Sequence, residues 1–217
     1  KYRRARRRAV KAIVSEMYRA SRVTQSSKLL PGLGLLPGFA YDLATVNTDG
    51  HNWDSTQTSM RREARERVTE SKPMFLIGSP ACTQYCSWQA LNAVKHDRPE
   101  GERERRMIAS DVHLKFVTEL YDLQMKEGRY FLHENPEGAK SWEREPMVDL
   151  ARNPKVSRII GDQCQYGQQS YQGAPVKKGT GWMSNSPEIL KKLERRCRGT
   201  RGECSRPGGG RHATASG

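Results

Sequence analysis

The stretch IASDVHLKFVTELYDLQMKEGRYFLHE, residues 108–134, predicts a long helix that is followed at once by a strand. Its apolar residues recur at spacings of four and three and form one stripe on a helix from about residue 104 to 126: Ile108, Val112, Phe116, Leu120 and Leu123. Gly128 stands where a helix C-terminal cap is expected. Residues 129–133 then have the aromatic and apolar character of a strand. This pair is typical of an α/β unit.

The same alternation continues on both sides of this stretch. Met74-Phe75-Leu76-Ile77 is a compact apolar run between Pro73 and Gly78, as expected of a strand buried on both faces. Further strands are predicted at 12–18, 38–43 and 156–160, and further helices at 22–30, 57–71 and 141–152. The chain is therefore predicted to form an α/β domain, Rossmann-like, with a mainly parallel sheet and flanking helices.

Composition divides the chain into three parts. Of its 217 residues 35% are apolar and 29% charged, and the mean hydropathy is −0.85, so we expect some segments to remain unpacked. The predicted organisation is a basic N-terminal segment at 1–10, an α/β domain at 11–198 and a disordered Arg/Gly/Ser-rich tail at 199–217.

The net charge of +14 is concentrated near the two ends. Residues 1–8 carry six basic and no acidic groups, and residues 191–211 carry eight basic and two acidic groups, so each contributes +6. Such segments suit sequence-independent contacts with the phosphates of nucleic acid, and DNA is the expected partner. Solvated tails explain them equally well.

Several features indicate where the protein functions. No apolar run approaches the ~20 residues that a membrane span requires, so no membrane partner is predicted. Five cysteines without a dense framework of short spacings favour a reducing, intracellular setting, with the nucleus as one option. The first residue is Lys1 rather than Met, which suggests a segment of a longer product.

The strands at 74–77 and 130–133 are predicted to be parallel neighbours, because a helix long enough to cross over joins them. Each ends in a reactive side chain, and ligands of open α/β sheets gather at the carboxyl ends of strands, so both side chains should open onto one cleft. Cys82 follows the strand at 74–77 on a Gly/Pro-stiffened loop, where a thiol can serve as a nucleophile. Glu134 ends the strand at 129–133, where partial burial can make a carboxyl group a proton donor. A packed thiol and a turn carboxylate are the simpler alternatives.

These two segments resemble cytosine-C5 methyltransferases. Gly-Ser-Pro-Ala-Cys-Thr-Gln-Tyr at 78–85 resembles the Pro-Cys loop of that family, and Glu134-Asn135-Pro136 resembles its Glu-Asn-Val motif. Tyr166-Gly167 and the segment 175–185 resemble a later motif, in the form found in divergent phage-type members. The chain is also similar to methyltransferase-like segments in transposon-derived polyproteins.

The resemblance implies a mechanism and a set of residues for the base. Cys82 would attack C6 of a cytosine that has swung out of the helix, and Glu134 would bind the ring near N3. Lys178 and Lys177 would replace an arginine beside the base, without its bidentate geometry. Asn135 and Thr180 would contribute to substrate binding, with Asn135 holding the loop rather than reacting.

The resemblance also implies S-adenosyl-L-methionine as the cofactor. The residues that would line its site are Glu16, Asp42, Asp54, Gly78 and Pro80. Asp42 suits the ribose hydroxyls, whereas Asp54 is equally well explained as a turn residue. Residues 16–22 contain no glycine, although the family has a glycine-rich turn at this point. We therefore expect methyl transfer to be weak or absent.

The remaining cysteines raise the questions of a zinc site and of a redox pair. Cys197, Cys204 and His212 are separated by six and seven residues, which are not the tight pairs of structural zinc sites, so no metal site is predicted. Cys86 lies four residues after Cys82 and is either its redox partner or a packed thiol.

Three functions remain open. The first is a degenerate DNA cytosine-C5 methyltransferase-like domain derived from a mobile element. The second is a non-catalytic nucleic-acid-binding module that uses its basic ends, and the third is a polyprotein segment without an independent function.

Overall fold

The computed structural model of the protein describes residues 12–18, 21–30, 32, 34–42, 45–46, 50–81, 85 and 100–213. The predicted basic segment at 1–10 lies outside these ranges. In chain order the elements are β1 (Ala12–Met17), α1 (Val23–Leu29), β2 (Leu35–Tyr41), α2 (Thr58–Ser71), β3 (Phe75–Gly78), α3 (Glu100–Lys126), β4 (Tyr130–Pro136), α4 (Glu145–Ala151), β5 (Ser157–Asp162), β6 (Gly179–Ser184) and α5 (Pro187–Leu193).

The six strands form one sheet in the order β2-β1-β3-β4-β6-β5. The pairs β1–β2, β1–β3 and β3–β4 are parallel, whereas β6 is antiparallel to both β4 and β5. This mixed, mostly parallel sheet with flanking helices confirms the predicted α/β class. Strand β6 was not predicted, because its sequence GTGWMS has two glycines and no run of β-branched residues. It becomes a strand by pairing on both sides.

Helices cover both faces of the sheet and enclose two cores. Leu76 and Phe131 point to the larger core, which they share with α2, α3 and α4. The next residues along the same strands, Ile77 and Leu132, point to the smaller core on the other face, where α1 and α5 pack. This alternation between adjacent residues explains why β3 and β4 read as continuous apolar runs.

Element boundaries differ from the sequence prediction chiefly at four places. Strand β4 continues to Pro136, so Glu134 lies within it and not after it. Helix α3 begins at Glu100, and Ile108 is 57% exposed, so the apolar stripe becomes buried only further along the helix. Strand β2 begins at Leu35 rather than at residue 38. The helix predicted at 141–152 is divided at Arg144 into a 3₁₀ turn (Lys140–Glu143) and α4.

Within the described residues, every helix lacks the long apolar stretch that a bilayer-spanning segment would need.

Candidate functional site

The carboxyl edge of the sheet, where β1 to β4 end, brings together two of the predicted motifs. Gly78 of β3 pairs with His133 of β4 in parallel register, which confirms that these strands are neighbours. Just beyond this pair, the Ser79 hydroxyl donates a hydrogen bond to the half-buried Glu134 carboxylate, with 3.1 Å between Oγ and Oε2. Cys82, the predicted nucleophile, lies outside the described residues. The loop that carries it therefore starts in contact with Glu134.

Gly78 and Pro80 shape the beginning of this loop. A Cβ at Gly78 would overlap the Tyr121 hydroxyl of α3, so glycine allows this helix to pack closely against β3. Pro80 is buried and Ala81 is exposed. Both Gly78 and Pro80 were predicted to contact a cofactor, and their observed environment is sufficient to explain them by packing.

Behind Glu134, a buried polar network fixes the end of β4. The Asn135 amide donates to His133 Nε2 at 3.0 Å and approaches Ser141 Oγ at 3.3 Å. Because Nε2 accepts, the neutral imidazole carries its proton on Nδ1, which lies 3.1 Å from the Tyr121 hydroxyl. Burial, with a smaller contribution from Arg158, lowers the pKa of His133 to about 3. Asn135 is 3% exposed, so it holds the loop instead of contacting a substrate.

Glu16, predicted as a cofactor ligand, is used by the fold. Its side chain is completely buried at the end of β1. The carboxylate accepts hydrogen bonds from the Thr24 N–H and hydroxyl, both at 2.8 Å, and from the Arg22 N–H at 3.1 Å. These donors belong to the beginning of α1, whose positive dipole end favours a carboxylate. Glu16 is therefore a buried cap that joins β1 to α1.

Tyr18 follows β1 at the position where the resembled family has its glycine-rich turn. Its φ is +60°, a left-handed conformation that glycine adopts at little cost and tyrosine rarely adopts. The ring packs edge-on against His113 of α3 at 5.4 Å, and its hydroxyl donates to the His113 carbonyl. Burial raises the pKa of Tyr18 above its usual value. The Tyr18 side chain thus fills space beside the end of β1 that a glycine at this position would leave empty.

The other two candidate carboxylates differ in their partners. Asp54 accepts hydrogen bonds from the Thr56 N–H and hydroxyl and from Gln57, so it stabilises the turn before α2. Partial burial acts to raise the pKa of Asp54, but these hydrogen bonds outweigh it and lower the pKa. Asp42 is half-buried just after β2, and no donor from the described residues contacts its carboxylate. Of the three predicted acidic ligands, Asp42 alone keeps a carboxylate that is unengaged within the described part of the chain.

Lys177 and Lys178 lie at the same edge of the sheet as Glu134. Because β6 runs antiparallel to β4, its first residues adjoin the last residues of β4, and the Glu137 N–H donates to the Gly179 carbonyl at 2.9 Å. Both lysines are exposed immediately before this point. Thr180 is fully buried, and its hydroxyl accepts a hydrogen bond from Gln163 at 2.8 Å. The lysines are free to meet a ligand, whereas Thr180 is a packing residue.

Residues 195–213, the C-terminal loop, fold back onto the carboxyl edge beside β5. Asp162, at the end of β5, donates its N–H to the Arg195 carbonyl and accepts from the Cys197 N–H. At the other end, the Ala213 N–H donates to the Pro175 carbonyl at 2.9 Å. The sequence predicts disorder from 199 onward, but residues 199–213 form a defined loop, held by backbone hydrogen bonds and not by apolar area. Residues 214–217 lie outside the described ranges.

Four side chains with metal-binding atoms converge where this loop meets β5. The sulfurs of Cys164, Cys197 and Cys204 and a ring nitrogen of His212 all lie within 4.8 Å of one another, and the three thiols are free. Burial raises the pKa of Cys164 to about 11. Burial also acts to raise the pKa of Cys197, but hydrogen bonds from Ser205 outweigh it and lower that pKa to about 6.

Cys164 is not among the candidate ligands that the sequence indicates, because it lies 33 positions before Cys197 and so outside any local spacing pattern. Its position directly after a strand was the available signal. The wide spacings of Cys197, Cys204 and His212 describe only three of the four ligands. They therefore do not exclude a metal site that also uses Cys164.

Comparison with known proteins adds no family assignment. No protein-family model matches the chain, and no curated protein is significantly similar to it.

Proposed function

We propose that this domain binds nucleic acid through the carboxyl edge of its sheet, as a degenerate relative of cytosine-C5 methyltransferases in which methyl transfer is weak or absent. The observation that carries the proposal is the position of Glu134 beside exposed basic residues on one edge of the fold. The resemblance of the motifs at 78–85 and 134–136 is the only support for the lineage.

The basic residues around this edge support a phosphate-binding role. The folded segment 191–211 retains its net charge of +6, and among its eight basic side chains only Arg196 pairs with a carboxylate of the described residues. Lys177 and Lys178 add two exposed charges between this segment and Glu134. Unpaired cations at one edge favour a polyanion and release its counterions on binding.

Glu134 supports cytosine as the preferred base. A carboxylate can accept a hydrogen bond from the N4 amino group of cytosine, whereas thymine offers an acceptor at the same position. Ser79 already donates to one Glu134 oxygen, which orients the carboxylate without consuming all of its acceptor capacity. An unpaired or flipped cytosine could therefore be read at this point.

The residues at the cofactor end do not fit S-adenosyl-L-methionine. Glu16 is engaged by α1, Asp54 by its own turn, and Tyr18 stands where the resembled family has glycine. Asp42 is the one predicted ligand that remains unengaged among the described residues. We therefore assign binding to the domain and derive no methyl-transfer step.

Salt dependence tests the binding proposal. The triple variant K177Q/K178Q/R198Q removes three charges from the carboxyl edge, and K72Q/K126Q/K155Q removes three exposed charges that precede β3, β4 and β5 at the opposite edge. Affinity for fluorescent single-stranded DNA is measured by anisotropy at several salt concentrations. The slope of log K against log salt should fall by about 0.7 for each lost contact in the first variant only. Equal slopes for the two triple variants would refute the proposed surface.

Base preference tests the role of Glu134. We expect oligo(dC) to bind about tenfold more tightly than oligo(dT), in line with ~1–3 kcal/mol for one base contact. Glu134→Ala should abolish the preference. Glu143→Ala, which removes an exposed carboxylate in the 3₁₀ turn that follows β4, should retain it. A preference that survives in Glu134→Ala would exclude Glu134 as the reading residue.

An active methyltransferase is the second candidate, favoured by the unengaged Asp42 and by the Ser79–Glu134 contact. Transfer of labelled methyl groups to mixed DNA and RNA distinguishes the two. Activity above that of Cys82→Ser would establish catalysis. Equal background levels of methyl transfer by the unmodified protein and by Cys82→Ser would support a domain that binds nucleic acid without catalysis.

A further inference from the structure

We propose that Cys164, Cys197, Cys204 and His212 bind one structural zinc ion, which fastens the C-terminal loop to the end of β5. This inference does not depend on the proposed function. Three thiolates and an imidazole are a standard donor set for tetrahedral zinc. Four protein ligands leave no open position, so the site is structural and not catalytic.

The distances between the ligand atoms match a tetrahedral ion. Zinc bonds of about 2.3 Å to sulfur and 2.0–2.1 Å to nitrogen imply separations of about 3.8 Å between two sulfurs and about 3.6 Å between sulfur and nitrogen. Cys197 Sγ lies 4.0 Å from Cys204 Sγ and 3.6 Å from His212 Nε2. All four ligand atoms fall within 4.8 Å of one another. They surround a space of the size that zinc occupies.

Hydrogen-bond donors surround the sulfurs as they do in metal–thiolate sites. Cys197 Sγ accepts from the Ser205 N–H at 3.4 Å and from the Ser205 hydroxyl at 3.5 Å. The Gln165 amide lies 3.5 Å from Cys164 Sγ and 3.6 Å from Cys204 Sγ. Such donors stabilise the deprotonated thiolates that a zinc ion requires.

Apart from its backbone hydrogen bonds, the loop around the cluster has little to hold it in one conformation. Residues 198–213 contain no large apolar side chain, so burial cannot offset the entropy of ordering them. Gly209 passes so close to the cluster that a Cβ there would lie 3.1 Å from Cys204 Sγ. A metal ion supplies the missing stabilisation, as it does in small zinc domains.

A disulfide is the competing explanation for paired thiols. The Cys197 and Cys204 sulfurs are 4.0 Å apart, against about 2.05 Å in a disulfide. A disulfide would also leave the third thiol and the imidazole at the same point unexplained. Convergence of all four groups favours the ion.

Zinc content tests the proposal directly. The purified protein, dialysed against metal-free buffer, should retain one zinc per chain by mass spectrometry. Cys164→Ser and Cys204→Ser should each lose most of it, and Cys86→Ser, which leaves all four proposed ligands unchanged, should retain one equivalent. Retention of zinc by both cluster variants, or less than a tenth of an equivalent in the unmodified protein even after zinc is supplied, would overturn the assignment.

Limited proteolysis provides a measurement that does not depend on variant folding. Trypsin cleaves after arginine unless proline follows, and Arg198, Arg201 and Arg211 are cleavable sites within the loop. We expect a strong chelator to increase cleavage at these sites at least tenfold, and added zinc, but not magnesium, to restore protection. Identical cleavage with and without the chelator would contradict a zinc that holds the loop.

Discussion

His133 shows how a single side chain at the carboxyl edge of a sheet can make the stability of the fold depend on pH. It lies one residue before Glu134 and is fully buried between Tyr121 and Asn135. Burial keeps the imidazole neutral, with a pKa of about 3, and as a neutral group it can accept the hydrogen bond from Asn135. The hydrogen bond between His133 and Asn135 in β4 therefore requires an uncharged imidazole.

The sign of the resulting pH effect follows from linkage. The unfolded chain binds a proton at His133 near pH 6.5, whereas the folded protein binds it only near pH 3. The stabilisation is therefore complete above about pH 6.5 and is lost as the pH falls, by about 1.4 kcal/mol per pH unit. Urea unfolding of the unmodified protein and of His133→Gln from pH 7 to pH 4 checks this. The difference between their stabilities should shrink as the pH falls, and parallel curves would contradict it.

At the scale of the element, the junction between β1 and α1 is the clearest departure from a cofactor site. A buried carboxylate at the end of β1 accepts hydrogen bonds from the first residues of the next helix. Tyr18, between them, adopts a left-handed backbone and packs against α3. The described residues of this junction therefore stabilise one another through their own contacts.

Glu16→Gln should destabilise the domain by about 1–2 kcal/mol, because the amide removes the charge and one acceptor from hydrogen bonds at a helix start. Glu66→Gln, a change of the same type on the exposed face of α2, should alter stability by less than about 0.5 kcal/mol. Both are measured by denaturant unfolding. Equal stability of the two variants would show that Glu16 is not the cap described above.

At the scale of the whole molecule, burial is uneven across the sheet. Strands β3 and β4 lie at its centre and contribute Leu76, Ile77, Phe131 and Leu132 to the cores on both faces. The edge strand β2 has no fully buried residue along its length. Stability should therefore be highest in the centre and lowest along β2.

Hydrogen exchange measured by mass spectrometry checks this gradient. Peptides that cover β3 and β4 should exchange slowest, through global unfolding, whereas peptides that cover β2 should exchange faster through local opening. We expect at least a tenfold difference in protection. Protection of β2 equal to that of β4 would mean that the sheet opens only as one unit.

Local patterns along the chain were sufficient to predict the α/β class, the parallel neighbours β3 and β4, and the carboxylate at the end of β4. Each of these features depends on residues that are close together in the sequence, either through hydrophobic periodicity or through a position near a strand end. Such local relations are visible in the sequence alone. The mainly parallel sheet followed from the alternation of these elements.

Tertiary structure alone decided the features that involve distant partners. Strand β6 forms because β4 and β5 hydrogen-bond to it from both sides, although its own residues have weak strand propensity. Glu16 became a helix cap, and Cys164 joined Cys197, Cys204 and His212, through contacts that no spacing along the chain encodes. Hydrogen bonds and metal ligands act over a few ångströms in space, so only the fold determines which residues they connect.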